Sequence, residues 1–537
     1  MKKQLLNIFS ILLVSGMSFA QQGDGGLPKS TELNTTLSQI DTRLFDQPNI
    51  EALRTEDAQV DVEKTGPWRF GFNNYVALNM TNSGTWNDLS NGGQIWQLEL
   101  TCAQALTVNL TMDNVVIPEG NELYVYNPEK DFILGSFTSK HLYEGQLGTE
   151  LVPGSTVIVE YYVAPQNVDA KRSLQINTVT HGYRTATEFQ AKAFGSSGNC
   201  NMNANCPDGD PWDFQRRAAV MLVSGSNGFC SGSMINNSQN DGTPYVLTAN
   251  HCYSNPTSWI FRFNWQASGC TNPGSSPSFN SLSGAVLRAR RTPSDFCLVE
   301  ITGGLESGSV PLSYGTYFPG WDNSDDIPAT SMCVHHPSGD IKKLAFDDAP
   351  AVSANGMGSS ETDSQWEVEW DRNTTTEGGS SGSPLFDQNG RIIGQLWGGG
   401  ASCFSLSSPD FYGKVSYSWE PTGSNSTNQL KFWLDPNDDG LVTLDGFSPT
   451  ASVAEKANLE FKLYPNPNNG VFTIELDGSA LGKTELIVTD ISGRTVYSSE
   501  RIGNHLIVDI SSASTGTYLL QINNNGMQSI KRIAIQN

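Results

Sequence analysis

Cations are scarce in this chain: 32 Lys and Arg stand against 55 Asp and Glu in 537 residues, a formal net charge of -23. That balance argues against nucleic acid as a partner, because such binding rests on cationic side chains neutralising phosphates. Past the first twenty residues, no apolar run approaches the roughly 18 residues a membrane-crossing helix requires, so the body of the chain is expected to be soluble. No cysteine directly follows Ala20, which argues against a lipoprotein anchor. Long amphipathic helical patterns are missing from the central region, which excludes a helical bundle there.

What is present begins with a secretory layout. Met1-Lys2-Lys3 precedes an apolar run from Leu5 to Val14 and small residues ending at Ala20, the expected signal-peptide cleavage point of segment 1–20. Of nine cysteines, eight fall between Cys200 and Cys403, and Cys102 stands apart. In an exported chain, eight clustered cysteines suggest four disulfides, and sequence alone leaves 105 pairings open. Cys102 is then either a buried free thiol or a partner in a transient link.

The organisation reads as three β-rich parts. Residues 21 to about 60 are polar and unpatterned, a mobile leader. From Trp68, alternating stretches such as Gln94–Leu100, Leu106–Leu110 and Leu123–Tyr126 predict an all-β module, and 21–192 is read as one N-terminal β-rich region. Gly195-Ser196-Ser197-Gly198 follows Lys192, and this flexible stretch is the expected processing point. Residues 193–447 combine the clustered cysteines with short β-prone runs such as Ala218–Val223 and Arg391–Leu396, the signature of a two-barrel antiparallel domain. A linker over 448–457 leads to a last module, 458–537, whose alternation through Val471–Leu476 predicts a small β-sandwich.

Chemistry concentrates in three segments of the central part: Thr248-Ala249-Asn250-His251-Cys252, Ser294-Asp295-Phe296-Cys297 and Gly379-Ser380-Ser381-Gly382-Ser383-Pro384. Peptide hydrolysis by a serine needs a neutral imidazole to take the hydroxyl proton and a buried carboxylate to orient that imidazole. His251, Asp295 and Ser381 fill those roles in that chain order. Singly, each is more often structural or solvated; together they predict a serine hydrolase. Cys230 is placed so that a disulfide with Cys252 could pin the histidine loop. The glycine-rich turn can aim the backbone N–H groups of Gly379 and Ser381 at a substrate carbonyl oxygen as an oxyanion hole.

The ordered set Ser197-Gly198-Asn199-Cys200, Cys206-Pro207-Asp208-Gly209-Asp210, Cys230-Ser231-Gly232-Ser233-Met234, Tyr245–Cys252, Ser294-Asp295-Phe296, Val334-His335-His336-Pro337, Gly379–Pro384 and Trp433-Leu434-Asp435-Pro436 resembles the bacterial lysyl endopeptidases, over about 195–447. The resemblance implies a secreted chymotrypsin-like double β-barrel that forms an acyl-enzyme on Ser381, takes protein or peptide substrates, works as a monomer and needs no cofactor. It also implies disulfides Cys200–Cys403, Cys206–Cys270 and Cys230–Cys252. Cys297 and Cys333 depart from the family pattern and, as the two that remain, are expected to pair with each other.

Ser407–Val415 resembles the family segment whose aspartate lies at the base of the primary pocket, which makes Asp410 the residue expected to bind the substrate's basic side chain. Two departures leave strict lysine preference open. After Gly394-Gln395-Leu396 the family has histidine where this chain has Trp397, and the family's other pocket tryptophan is not found near Asn355. Trp397 and Gly398 look like the substrate-binding edge of trypsin-like enzymes, so arginine is a second candidate, and plain packing is the alternative for Trp397. Common trypsin-like zymogens carry aspartate just before the serine; Ser380 stands there, so activation must run differently. The region 21–192 is read as a propeptide that covers the cleft or assists folding and is removed by cleavage after Lys192, with a permanent accessory domain as the alternative.

Tyr464-Pro465-Asn466-Pro467, Asp490-Ile491-Ser492-Gly493-Arg494, Gly516–Gln521 and Lys531-Arg532-Ile533-Ala534 resemble the C-terminal sorting domain of the type IX secretion route. That resemblance implies outer-membrane secretion machinery as a partner and a product that is free or attached to the cell surface. A carbohydrate-binding or adhesive sandwich is the alternative, but no aromatic platform stands out. His335-His336 lacks a third ligand at metal spacing, and Asp322, Asp325, Asp326, Asp435 and Asp439 read as solvated turns, so no metal is assigned. Two rivals remain: a trypsin-fold protease of glutamyl or aromatic preference, and a silent adhesin on the same scaffold.

Overall fold

The computed structural model describes residues 22–33, 37–184, 197–449, 461–476, 483–490, 494–503, 505–524 and 527–536. Ala20 and Lys192, the two expected processing points, lie outside these residues. The chain divides into two compact units, 1–448 and 449–537.

The first unit opens with a β-sandwich. One sheet runs Asp41–Phe45, Gln94–Cys102, Thr156–Val163, Glu122–Tyr126, Ile133–Phe137, and the other Val152–Pro153, Thr107–Val116, Ser173–Gly182, Gly71–Asn79. The apolar residues of these strands meet in one core, including Trp96, Leu98, Leu110, Val125, Val159, Ile176 and Val179. The same core continues into the next domain through Met221, Val223, Phe229, Ile260, Trp265 and Phe279. Across this junction, buried Glu150 receives a two-pronged contact from buried Arg262, 2.6 Å and 3.1 Å.

The stretch read as a mobile leader is ordered in part. Asp41–Phe45 pairs in parallel with Gln94–Cys102, and Ile50–Glu63 is a helix whose Asn49 side chain caps it by accepting from the Ala52 N–H. Its sequence gives no strong apolar stripe, so contacts with the rest of the fold, not periodicity, hold it.

Two antiparallel sheets follow. The first runs Asn280–Ser283, Ile260–Phe263, Ala219–Ser224, Gly228–Met234, Tyr245–Ala249, Phe296–Ile301, Ala285–Arg291; the second is built on Lys343–Asp347, Ser331–His335, Pro384–Asp387, Ile392–Gly399, Asp410–Lys414, Gln365–Val368. Between them lies a shared core of Ala219, Leu247, Phe296 and Leu298 from one sheet and Trp321, Met332, Val334, Phe386 and Ile392 from the other. This is the double β-barrel expected of a chymotrypsin-like protease. Trp68–Arg69, from the N-terminal region, pairs onto Gly228–Phe229 of the first barrel.

The second unit is a small sandwich. Phe461–Tyr464, Val471–Leu476 and His505–Asp509 form one sheet, and Thr495–Ile502, Lys483–Asp490, Gly516–Asn524 and Met527–Ile535 the other. Phe472, Ile474, Leu486, Val488, Leu506, Leu520 and Ile533 fill its core. The alternation read along Val471–Leu476 appears as alternating burial.

Candidate active site

His251 sits in the short turn Asn250–Cys252 that ends the buried strand Tyr245–Ala249, and a Cys230–Cys252 disulfide ties the turn to the neighbouring strand. Thr248 and Ala249 pair with Cys297 and Phe296, so the residue before that partner strand, Asp295, is brought beside the histidine turn. The Asn250 N–H donates to the Asp295 carbonyl at 2.7 Å. One Asp295 carboxylate oxygen accepts from the His251 backbone N–H at 2.9 Å, and the other lies 2.7 Å from His251 Nδ1. Burial pushes the Asp295 carboxyl up from its ordinary value, while the imidazole and the two backbone N–H groups pull it down.

Ser381 occupies the turn before Pro384–Asp387. Gly382 has φ +80°, and a Cβ there would fall 2.1 Å from Thr248 Oγ1 and 2.5 Å from the Ser231 carbonyl, so only glycine lets this turn press against the first barrel. The Ser231 N–H donates to the Ser381 carbonyl at 2.8 Å, and Ser231 Oγ donates to the Gly379 carbonyl at 2.9 Å. The N–H groups of Ser380, Gly382 and Ser383 are taken by Glu377, Leu396 and Ser380 carbonyls. Those of Gly379 and Ser381 have no partner among the described residues, as an oxyanion-binding pair requires.

Asp410 begins the strand Asp410–Lys414 and is fully buried. Its Oδ2 accepts from Trp370 Nε1 at 2.8 Å and Thr376 Oγ1 at 2.5 Å; its Oδ1 accepts from the Ala401 N–H at 3.3 Å. Across the sheet Asp410 pairs with Gly399 on one side and Val368 on the other; Gly398, of the expected substrate-binding edge, pairs with the next residue, Phe411, and an irregularity in pairing falls at half-buried Trp397. The remaining partner of Oδ1 comes from the N-terminal region: Lys64 Nζ, 2.8 Å away and 2.7 Å from Thr376 Oγ1. The Lys64 carbonyl accepts from Ser381 Oγ at 3.2 Å. Lys64, Thr376 and Trp370 were not found by reading the sequence. Trp370, the tryptophan that donates to Asp410, lies fifteen positions beyond Asn355 (370 − 355).

Three disulfides form: Cys200–Cys403, Cys206–Cys270 and Cys230–Cys252. The expected Cys297–Cys333 pair does not. Both thiols are free and buried, Cys297 in the core of the first barrel and Cys333 in that of the second, where its Sγ lies 3.2 Å from Ser383 Oγ. Two barrels with separate cores hold them apart. Burial lifts the Cys333 thiol to about 12. Cys102, the third free cysteine, is buried, and burial raises its thiol to about 12 as well.

His335 and His336 are fully buried; His335 Nδ1 meets Ser380 Oγ at 2.7 Å and His336 Nδ1 meets the Asp340 carbonyl at 2.9 Å. The acidic turns are held internally: Asp435 accepts from the Asp439 and Gly440 N–H groups, Asp322 from that of Ser324, and Asp325 pairs with Lys414.

Residues 194–413 match the family described as lysyl endopeptidase, C-terminal domain, and residues 462–536 match the secretion system C-terminal sorting domain. Similar solved structures include a thermostable serine protease AL20 from an extremophilic microorganism, with 15% identity, 37% of this chain and 89% of that one covered and a TM-score of 0.27. Kallikrein-related peptidase 10, in complex with zinc, has 16% identity over 37% of this chain and 89% of that one, with a TM-score of 0.26. On the two barrels and the family matches, the chain carries a serine endopeptidase domain of the lysyl endopeptidase family, joined to a type IX sorting domain that directs its export to a secreted or cell-surface location.

Proposed function

We propose that this secreted serine protease cleaves peptide bonds after lysine. The supporting observation is the lysine ammonium seated on Asp410 while the same residue's carbonyl meets Ser381. In this reading, Ser381 Oγ attacks the carbonyl carbon as His251 takes its proton, Asp295 orients the ring, and the Gly379 and Ser381 N–H groups receive the developing oxyanion. His251 then protonates the leaving amine, and water resolves the acyl-enzyme.

The division of partners on Asp410 favours lysine over arginine. Trp370 and Thr376 occupy Oδ2, leaving Oδ1 for the guest; an ammonium needs one oxygen, whereas a guanidinium binds best through both. A neutral guest would leave the buried carboxylate uncompensated. Residues 21–192 act in this reading as the pro-region, and the mature domain works alone.

Kinetics of the processed enzyme on matched short substrates test the assignment. Lysine is expected to exceed alanine before the cut by about 10⁴-fold in kcat/KM, with Asp410→Asn removing that advantage. Ser381→Ala is expected to lower kcat by about 10⁶-fold. Equal turnover of lysine and glutamate substrates, or a normal rate in Ser381→Ala, would overturn the reading.

A further inference from the structure

Lys64 is no ordinary partner for a specificity pocket, because it is part of the same chain and its backbone lies at the nucleophile. The segment around it runs through the cleft. Upstream, the helix Ile50–Glu63 is clamped by Arg184, which donates to Asp57 at 3.0 Å and to Asp61 at 2.7 Å and 2.9 Å, and by Arg69, 2.7 Å from Asp57. Downstream, Thr65-Gly66-Pro67 leads into Trp68–Arg69, which adds to the first barrel beside Gly228–Phe229, immediately before the Cys230 that braces the histidine turn. Trp68 also packs on the serine turn: a Cβ on Gly378 would lie 2.8 Å from its ring.

We infer that the Lys64–Thr65 bond is a substrate of the enzyme's own active site, and that the segment carrying it closes the pocket until that bond is cut. The inference rests on the lysine reading of the pocket proposed above. It identifies a bond of this chain as a substrate and gives the precursor a means of latency that does not need an aspartate at Ser380.

The geometry accounts for both recognition and delay. The side chain is bound as a substrate lysine would be, with the ammonium on Asp410 and Thr376. The backbone is not yet placed for attack. Lys64 closes the helix in the left-handed region, φ 54° and ψ 30°, with its N–H held by the Val60 carbonyl at 2.9 Å. Its carbonyl accepts from Ser381 Oγ instead of from the Gly379 and Ser381 N–H groups, and His251 Nε2 has no hydrogen-bond partner among the described residues. Left-handed backbone is unfavourable for a residue with a Cβ, so unwinding the last helical turn relieves strain as it delivers the carbonyl. Ser381 Oγ then bonds to the Lys64 carbonyl carbon while its proton passes to His251. The bond to the Thr65 nitrogen breaks as that nitrogen takes the proton. Water hydrolyses the ester, restoring the Ser381 hydroxyl and leaving a Lys64 carboxylate and a Thr65 amine.

The test uses the full-length chain. Freshly purified protein is treated with a small lysine-type phosphonate that labels Ser381, and parallel samples are incubated and their new N-termini sequenced. Wild type is expected to label at least tenfold more slowly than Lys64→Ala, and incubation is expected to produce a chain beginning at Thr65 in wild type but not in Lys64→Ala or Ser381→Ala. Because Lys64→Ala strands a buried carboxylate and can misfold, a synthetic peptide spanning 49–69 is also tested on processed enzyme; it should inhibit at least tenfold better than its Lys64→Ala counterpart. Equal labelling of wild type and a folded Lys64→Ala, equal inhibition by the two peptides, or no Thr65 end would overturn the inference. If the processed enzyme showed no lysine preference on small substrates, the proposed function itself would fail, which is a separate result.

Discussion

Asp410 meets four donors, and in the proposed function their division between its two oxygens selects the cation. Replacing Trp370 with Phe keeps the packing beside Tyr412 but frees one acceptor site on Oδ2. The variant is expected to lower the lysine-to-arginine ratio of kcat/KM by about tenfold, the equivalent of one hydrogen bond, in paired substrate assays. The three buried thiols give a second prediction at this scale. Unfolded, unreduced protein should titrate three free thiols with a thiol-reactive dye, where a Cys297–Cys333 bridge would leave one; the folded chain should react slowly because burial keeps the thiols protonated. The catalytic candidates were legible because each lies in a short local motif. Trp370 and Thr376 were not, since they reach Asp410 from 40 and 34 residues away through folding and carry no local signature.

Among the elements, the strand Ser331–His335 carries an acid sensitivity. Burial holds His335 at about 3, with the Lys64 and Lys343 charges adding to the effect, and burial beside Lys342 and Arg262 holds His336 well below its ordinary value. Both are neutral when folded, yet their unfolded values lie near 6.5. Their contribution is therefore fully present above pH 6.5 and is lost as pH falls toward their folded values. Each removes up to about 1.4 kcal/mol per pH unit within that window. Urea unfolding of the full-length chain at pH 7 and pH 5 should show the loss, and His335→Gln should reduce its slope. Strands with alternating residues were readable from the sequence, whereas the helix Ile50–Glu63 was hidden. It is rich in carboxylates that meet Arg69 and Arg184 only in the folded chain, so local pattern carried no trace of it.

For the molecule as a whole, the N-terminal sandwich and the first barrel share a core, pinned by Glu150 and Arg262. Removing one member of a buried pair strands the other, so Glu150→Ala is expected to destabilise the full-length chain by about 3–5 kcal/mol. Denaturant unfolding in a Ser381→Ala background, where self-digestion is absent, measures this. The order of parts was legible from composition and motif; this continuity was not, because a shared core is made by residues distant in sequence whose apolar character looks the same whichever neighbour they bury against.

The pairing of Trp68–Arg69 with Gly228–Phe229 bears on what the activated enzyme can digest. If that segment leaves with the pro-region, as proposed, the edge at Gly228–Phe229 that held the residues four and five positions beyond Lys64 lies bare, ready to be extended by a polypeptide drawn out straight. Tightly folded prey rarely offers such a stretch. Digestion would then start at termini, long loops and unravelled chains, and a compact target would survive until something else opened it.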